Sequence, residues 1–340
     1  MNGVRRRAAV LYHYPCPDGA FAALAAHLYF SATSLPAIFF PNTVYDPIRA
    51  GNLPLEDVDE VYLLDFAGPS GFVGEISSKV RSVVVLDHHK TALEMLCGDA
   101  SIGKNVTSII DMERSGATIA FDYFKEKIFG KGMDLDNHYM GSRGNDVGFG
   151  CQLVRESEFA RVHRLFKYIE DGDLWRWAVP DSKAFSSGLK DLNIEYSVNL
   201  NPTLFEQLMT LDPELVISKG RATLSHKQKL IDDVLEQSYE ISLGGGSFGY
   251  CLAVDADSIL ELRSEIGDQL ANKSCNSKLR GIGAVVYRVP ELKNDEFLKI
   301  SLRSVENEDT TPISQKYGGG GHRNASSFML SSADFDRWKT

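Results

Sequence analysis

The sequence has few cysteines, no excess of positive charge and no long apolar run. Its five cysteines lie far apart without a C-x-x-C pair, which argues against a disulfide framework and against a structural zinc site. The formal net charge of −10 argues against broad attachment to long duplex DNA or to an anionic membrane. No apolar stretch approaches the ~18 residues of a membrane span. We therefore expect a soluble, cytoplasmic protein.

What is present predicts two domains. The 340-residue length and the 43% hydrophobic content are typical of a globular chain of that size. In the N-terminal half, apolar runs that end in Asp, such as "DEVYLLDFA" and "VRSVVVLDHHK", alternate with helical patterns, as buried parallel strands do. We predict an α/β fold with a parallel-sheet N-terminal domain over 1–190, a helical connector over 191–245 and a smaller C-terminal α/β domain over 246–340.

One helix has clear ends in the sequence. The stretch "SGATIAFDYFKEKIFG" predicts a helix between an N-cap at Ser115 and a stop at Gly130. The helix start at Ser115 and Gly116 would also offer an N-terminal dipole to a nearby site, although capping alone explains both residues. The glycine-rich residues 130–150 have weak periodicity and predict a loop or an irregular insertion.

Polar side chains collect where three predicted strands end: His13, Cys16 and Asp18 after the first, Asp65 after the second, and Asp87, His88 and His89 after the third. Taken alone, "VVVLDHHKT" is explained as well by a loop that caps the next helix. The carboxyl ends of neighbouring parallel strands meet at one edge of a sheet, however, so the three groups together predict a common site. Carboxylates and imidazoles without a thiolate cluster suit Mn²⁺ or Mg²⁺, and one Asp shared by two ions is usual for phosphoester cleavage.

These motifs resemble those of the DHH phosphoesterase superfamily. "VVVLDHHK" contains the name-giving triplet, and "HYPCPDG" and "DEVYLLDFA" precede it in the family's order. "SLRS" and "GGGGHRNASS" resemble the strand and glycine-His loop of the associated C-terminal substrate domain. Its first turn resembles that of the nanoRNase-like oligonucleotide phosphodiesterases, which reads His-x-x-Cys-x-Asp-Gly. The resemblance implies a two-domain hydrolase with two Mn²⁺ ions, Mg²⁺ or Co²⁺ being alternatives.

The resemblance also implies roles for individual residues of the first domain. Asp65 would bridge two ions, and the implied metal ligands are His13, Asp18, Asp65, His88 and Asp171. Asp173 is the close alternative to Asp171, because one sequence does not fix that alignment. Asp87 and His89 would be catalytic, with His89 facing the phosphate or the leaving group. Cys16 stands where many members carry Asp, and it either binds metal as a thiolate or packs as a small buried side chain, the reading we prefer.

The glycine run near the C-terminus predicts a phosphate-binding loop. Glycines let backbone N–H groups approach phosphate oxygens, and neighbouring His and Arg side chains add charge-assisted hydrogen bonds. Alone, such a run is also typical of a flexible turn. The predicted phosphate-binding residues are Arg303, Gly319, Gly320, Gly321, His322 and Arg323. Tyr317 and Phe328 flank the loop and either stack on a base or belong to the core.

Three functions remain open from the sequence. The first is a metal-dependent phosphodiesterase that hydrolyses short oligonucleotides or dinucleotides to nucleoside monophosphates. The second is an exopolyphosphatase or a nucleotide phosphatase of the 3′-phosphoadenosine type. The third, from another class, is a catalytically inactive nucleotide- or RNA-binding protein. The expected partner is a short single-stranded nucleic acid or a nucleotide, with no membrane contact, and a homodimer is compatible with the sequence.

Overall fold

The computed structural model describes residues 7–43, 45–99, 101–130, 156–257, 259–289 and 296–340, with the backbone alone at 156–161 and 260. The chain divides into two compact units, Met1–Ala222 and Thr223–Thr340. The connector predicted over 191–245 straddles this division, and the three domain boundaries stay predictions. Beyond Gly130, the insertion predicted over 130–150 lies outside the described residues.

The first unit contains a five-stranded parallel sheet, as the Asp-ended apolar runs predict. Its strands are β1 (Arg7–His13), β2 (Ala37–Asn42), β3 (Val58–Leu64), β4 (Ser82–Asp87) and β5 (Val106–Ile110), in the order β2-β1-β3-β4-β5. The central strands are buried on both faces, which explains why their sequences are continuously apolar rather than alternating. The predicted α/β class is confirmed, although the sequence analysis did not predict the two edge strands, β2 and β5.

Eight α-helices begin in the described part of the first unit: α1 (Pro17–Thr33), α2 (Phe72–Ser77), α3 (Lys90–Leu96), α4 (Gly116–Phe129), α5 (Glu156–Asp173), α6 (Ser182–Asp191), α7 (Leu204–Met209) and α8 (Pro213–Glu236). Helices α1, α4 and α5 bury aromatic and alanine side chains against one sheet face, and the last of these helices, α8, ends in the second unit. Helix α4 has the predicted ends, since the Ser115 hydroxyl accepts the Thr118 N–H and Gly130 follows the last turn. In the described chain, no helix is both long and apolar enough to cross a membrane.

The strand registers bring three motif ends to one level. Tyr12 pairs with Leu64, and Leu64 pairs with Leu86. The residues that follow these positions, His13, Asp65 and Asp87, therefore lie side by side at the carboxyl edge of the sheet.

The second unit is built on a six-stranded mixed sheet. Its strands are β6 (Tyr239–Ser242), β7 (Tyr250–Asp255), β8 (Ile282–Tyr287), β9 (Phe297–Ser304), β10 (Gly320–His322) and β11 (Ala325–Ser331), in the order β10-β11-β9-β8-β7-β6. Its helices are α9 (Arg263–Asn276), α10 (Thr311–Lys316) and α11 (Ser332–Asp336). Strand β9 contains the predicted "SLRS", whereas part of the predicted glycine loop forms the short edge strand β10.

Candidate metal centre

The cluster at the carboxyl edge is centred on Asp65, whose carboxylate is 1% exposed. His13 Nδ1 donates to Asp65 Oδ2 at 3.1 Å, and His88 Nε2 lies 3.2 Å from Asp65 Oδ1. The backbone of Asp65 is left-handed, with φ of 64°, an uncommon conformation for a non-glycine residue. This turn directly after β3 places the carboxylate between two histidines from the neighbouring strand ends.

Asp18 reaches the same cluster from helix α1. Cys16 is the N-cap of that helix, so Asp18 lies in its first turn and does not cap it. Its carboxylate instead accepts the N–H groups of Gly116 and Ala117, at 2.7 and 3.1 Å, at the start of α4. The positive end of a second helix therefore holds this buried carboxylate. The sequence predicted that the start of α4 would offer its dipole to a nearby site, but it did not assign Gly116 to the metal cluster. The glycine at the first helical position was the feature that could have indicated this contact.

Two acidic residues near the end of α5 have different surroundings. Asp173 Oδ2 lies 3.5 Å from His88 Nε2, and Asp173 groups with Asp18 and His88. Asp171 is buried, but its carboxylate accepts the N–H groups of Ala178 and Val179, at 3.0 and 3.3 Å. The choice of Asp171 as a ligand stays a prediction, and this geometry favours the alternative. The Asp171 side chain holds the turn after α5, and the alternative, Asp173, belongs to the cluster.

His89 and Asp87 form a pair beside the cluster. His89 Nδ1 donates to Asp87 Oδ1 at 2.7 Å, and the same oxygen accepts the backbone N–H groups of His88 and His89. An ionised carboxylate only accepts hydrogen bonds, so Nδ1 carries the proton and the other ring nitrogen is directed elsewhere. The hydrogen bond to Asp87 raises the pKa of His89 to about 9, although burial opposes the shift.

Burial and mutual repulsion oppose charge in this cluster. Burial raises the pKa of Asp18 well above its ordinary value, and repulsion from Asp65 and Asp173 adds to the shift. Burial also raises the pKa of Asp173. For Asp65 burial acts in the same sense, but His13 and His88 outweigh it and lower the pKa to about 2. In the described chain, the ion-pair partners of these carboxylates are histidines rather than Lys or Arg.

The donor set fits divalent cations. Asp65 Oδ1 and Asp87 Oδ2 are buried and accept no hydrogen bond from any described residue, so both oxygens have unused lone pairs. Ligand atoms within 4.8 Å of one another form three overlapping groups: His13, Cys16 and Asp65; Asp65, His88 and His89; and Asp18, His88 and Asp173. Oxygen and imidazole donors around a shared carboxylate suit two ions of the Mn²⁺ or Mg²⁺ type.

Cys16 lies at the edge of this donor set. The side chain is partly buried, and burial, with Asp65 nearby, raises the pKa of the thiol to about 12. Without an ion the thiol is therefore protonated at neutral pH. The preference for Cys16 as a packing residue stays a prediction.

Two cavities open onto the cluster. The larger has a volume of about 570 Å³, and Asp18 and Asp173 line one end of it. The smaller has a volume of about 350 Å³, and its lining includes His13, Asp65 and His89. Both volumes are in the range of small-molecule sites. The cluster thus has space for two chemical groups, one in each cavity.

The predicted phosphate-binding residues lie in the second unit. Arg303 on β9 pairs with Ala325 on β11, which pairs with His322 on β10, so the three side chains share one sheet face. Arg303 donates to the Ser264 hydroxyl at 3.1 Å, and Arg323 Nε donates to the Glu308 carbonyl. The remaining predicted residues are in or beside β10: Gly319 precedes it, and Gly320 and Gly321 are exposed.

The predicted aromatic residues differ in their surroundings. Phe328 is 3% exposed, and Tyr317 stacks on it at 5.0 Å in the core of the second unit, so the core explanation holds for this pair. Trp175 follows the end of α5, and 78% of its surface is exposed.

Comparisons with known proteins identify one related sequence but no family model. No family model matches the chain. A protein described as uncharacterized protein R106 of Acanthamoeba polyphaga mimivirus is 24% identical over 340 residues, covering 95% of this chain and 67% of the viral protein. That description names no activity.

Solved structures similar to this chain have low scores. An exopolyphosphatase-related protein from Bacteroides fragilis is 13% identical, with a TM-score of 0.35 over 95% of this chain and 86% of the other. The pGpG-specific phosphodiesterase PggH of Vibrio cholerae is 14% identical, with a TM-score of 0.41 over 98% and 95% of the two chains. CDC45 of Entamoeba histolytica is 10% identical, with a TM-score of 0.37 over 99% and 95%. Such scores carry no functional weight. The class that fold and site define is an α/β protein with a candidate metal centre, and its ordered motifs resemble those of the DHH phosphoesterase superfamily.

Proposed function

We propose that this chain is a metal-dependent phosphodiesterase of the DHH superfamily that releases nucleoside monophosphates from dinucleotides or short oligonucleotides. The observation that supports the proposal most strongly is the carboxylate-imidazole cluster, whose residues line two separate cavities. A phosphodiester carries an organic group on both sides of its phosphorus, whereas a terminal phosphate carries one. The two largely apolar linings favour nucleosides over a polyphosphate chain.

The first unit's own residues would bind the metal and the phosphate. His13, Asp18, Asp65, His88 and Asp173 would hold two ions, for which we propose Mn²⁺, with Asp65 shared between them. Bound ions of this kind would neutralise charge on the phosphate and activate a water for in-line attack.

His89 is placed to handle the proton of the leaving group. Its Nδ1 is fixed by Asp87, and His89 lines the smaller cavity. As the water oxygen bonds to phosphorus and loses a proton to solvent, the bond from phosphorus to the leaving oxygen breaks, and His89 would deliver a proton to that leaving oxygen. The leaving nucleoside would then occupy the side of the smaller cavity.

Partners and location stay proposals. Arg303, His322 and the exposed glycines would bind a terminal phosphate of a short single-stranded substrate, since they offer a guanidinium, an imidazole and backbone N–H donors. Cytoplasmic location and a homodimer are expectations from the sequence.

Hydrolysis assays with Mn²⁺ test the function. We expect turnover of a two-nucleotide RNA, and at least ~1000-fold lower kcat/KM in Asp65→Asn and His88→Ala, because catalysis by bound ions supplies several kcal/mol. Asp233→Asn, which changes an exposed carboxylate on α8, is the matched control and should keep full activity.

The substrate panel separates the alternatives. Polyphosphate or a 3′,5′-bisphosphate nucleotide cleaved in preference to the dinucleotide would support the second function considered above. Nucleotide binding without Mn²⁺ uptake or turnover of any substrate would support the inactive binding protein. Activity that survives both active-site substitutions would contradict the proposed centre.

A further inference from the structure

We propose that the larger of the two cavities that open onto the cluster is a nucleobase subsite, with Trp175 as its stacking residue; this inference rests on the proposed phosphodiesterase function. The cavity and the metal cluster share two side chains, Asp18 and Asp173. A phosphate at the cluster would therefore have its attached nucleoside at the mouth of the cavity. The volume of about 570 Å³ is in the range of small-molecule pockets.

The walls of the cavity offer flat apolar surfaces. Tyr168 and Phe185 are buried and stack on each other, with ring centroids 4.5 Å apart and planes 13° from parallel. Ile169 and Pro17 contribute further apolar surface to the lining. A rigid aromatic and aliphatic wall suits the planar face of a base, because stacking is favourable for every base.

Trp175 is a large, exposed aromatic residue in the lining of the cavity, where a bound base could cover it. It is 78% exposed, and its backbone is left-handed with φ of 52°. A bulky residue in that conformation is strained, and a large exposed aromatic gains by being covered. Its ring meets Trp177 edge to face at 5.5 Å, and that second ring lies under Lys183. These contacts support Trp175 from one side and leave most of its surface exposed.

The space and the polar groups fit the edge of a base. At Gly172 on α5, a side-chain carbon would meet no atom closer than 3.8 Å, so the cavity floor is open there. Ser186, Lys190 and Asn193 line the cavity and present hydroxyl, ammonium and amide groups. A few polar groups around an apolar pocket are the usual way in which a site orients a ligand.

The lining offers few charge partners for a polyphosphate. Among the described lining residues Lys190 is the single cation, and Asp18 and Asp173 belong to the proposed metal centre. A chain of phosphates extending into this cavity would therefore have one ammonium group to neutralise several negative charges. An uncharged base needs no such partner, so the cavity favours a nucleoside over a polyphosphate chain.

Two measurements test the subsite. The first is equilibrium binding of adenosine, which has no scissile phosphate, by isothermal titration calorimetry. The second is the ratio of kcat/KM for a dinucleotide to that for its abasic counterpart. We expect Trp175→Ala to weaken adenosine binding about 10-fold and to lower the ratio by a similar factor, because a base-aromatic stack is lost. Trp175→Phe should recover most of both values.

Two further variants control for indirect effects. Leu200→Ala removes a similarly exposed apolar side chain that lines no part of this cavity, and it should change neither measurement. Gly172→Leu should fill the cavity and weaken adenosine binding as Trp175→Ala does, and unchanged Mn²⁺ uptake would show that neighbouring Asp173 is undisturbed.

Failure of the subsite is distinguishable from failure of the proposed function. Adenosine binding that depends on Trp175, without hydrolysis of any phosphodiester, would uphold the subsite and contradict the function. Hydrolysis with no measurable adenosine binding, or with an unchanged substrate ratio in both Trp175→Ala and Gly172→Leu, would overturn the subsite.

Discussion

Asp18, Asp65 and Asp87, at the carboxyl edge of the parallel sheet, are each 1% exposed, whereas all three residues of the glycine-rich strand β10 in the second unit are exposed. The first edge presents side-chain oxygens that are desolvated and close together. The second presents backbone atoms with almost no side chains in the way. A buried carboxylate loses hydration and demands a compensating cation, while an exposed N–H keeps water until a ligand replaces it.

This difference in burial predicts that the functional residues lower the stability of the fold at the carboxyl edge of the first unit but not at β10. Strain and repulsion are concentrated in the first unit, where Asp65 is left-handed and the pKa values of Asp18 and Asp173 are raised by burial. Among the described residues of the second unit no charged side chain is buried, and some, such as Arg280 and Glu308, are joined in ion pairs. At the buried edge, a substitution that weakens metal binding should raise stability. At the exposed edge, a substitution that weakens substrate binding should leave stability nearly unchanged.

Asp173→Asn should have the largest effect. Removing this carboxylate should lower Mn²⁺ affinity by about 10–100-fold or more, since even groups that only orient a metal ligand have effects of that size. The metal-free variant should nevertheless melt at a higher temperature than the wild type at neutral pH, because burial disfavours the charged form of Asp173. Calorimetric Mn²⁺ titration and thermal melts with chelator measure both.

Asp171→Asn is the matched control for that variant. It should keep its Mn²⁺ affinity but melt at a lower temperature, because the carboxylate of Asp171 holds the N–H groups of Ala178 and Val179. If Asp171→Asn lost its bound ions and Asp173→Asn did not, Asp171 would be the metal ligand, as the sequence analysis expected. The stability gain of Asp173→Asn should also shrink in acid, where the wild-type side chain is protonated.

The contrast between these two residues shows what the sequence determined and what it left open. Apolar runs ending in Asp predicted the central strands, because buried parallel strands need no polar alternation. They also placed His13, Asp65 and His88 together, because strand ends of one sheet coincide. Asp171 and Asp173 are two residues apart at a helix end, and only the three-dimensional turn decides which carboxylate meets the cluster.

Other parts of the molecule had weaker signals in the sequence. Edge strand β5 has exposed residues at its centre and lacks the continuous apolar run of β3 and β4. The role of Gly116 depends on α4 meeting α1, a long-range contact that no local pattern encodes. The exposure of Trp175 likewise follows from a left-handed backbone that its residue type disfavours.

Gly116→Ala should have the next largest effect. The added carbon would lie 2.7 Å from Asp65 Oδ1 and 3.0 Å from Asp18 Oδ2, so both carboxylates would have to move. We expect destabilisation of about 1–3 kcal/mol, as for other overpacked positions, together with about 10-fold lower activity.

Gly172→Ala serves as the comparison, because it adds the same methyl group to another helix where space is open. It should stabilise the protein by up to about 1 kcal/mol. Urea unfolding and Mn²⁺-dependent kinetics measure both variants. If Gly116→Ala behaved like Gly172→Ala, the close approach of α4 to the cluster would have no functional consequence.

Gly320→Ala tests the exposed edge. A side-chain carbon there meets no atom within 4 Å, so the fold should tolerate it and the unfolding free energy should change little. If the backbone of β10 binds a substrate phosphate, the methyl group should obstruct one hydrogen bond and raise KM about 5-fold at unchanged kcat. Steady-state kinetics with a dinucleotide decide the point, and an unaltered KM would remove Gly320 from the phosphate site.

Glu308→Gln should have the smallest effect and should vary with pH. A hydrogen bond from Arg280, 2.5 Å away, lowers the pKa of Glu308, so its folded value lies below the unfolded one. The carboxylate therefore stabilises the second unit above the ordinary glutamate pKa of about 4.3, and this contribution disappears as the pH falls through the folded value. After solvent screening we expect about 1 kcal/mol or less. By urea unfolding at pH 7 the wild type should have the higher unfolding free energy, and this difference should vanish once the pH is below the folded pKa of Glu308. A difference that grew in acid would mean that Arg280 does not stabilise the charged form, and the exposed edge would then resemble the buried one in its electrostatics.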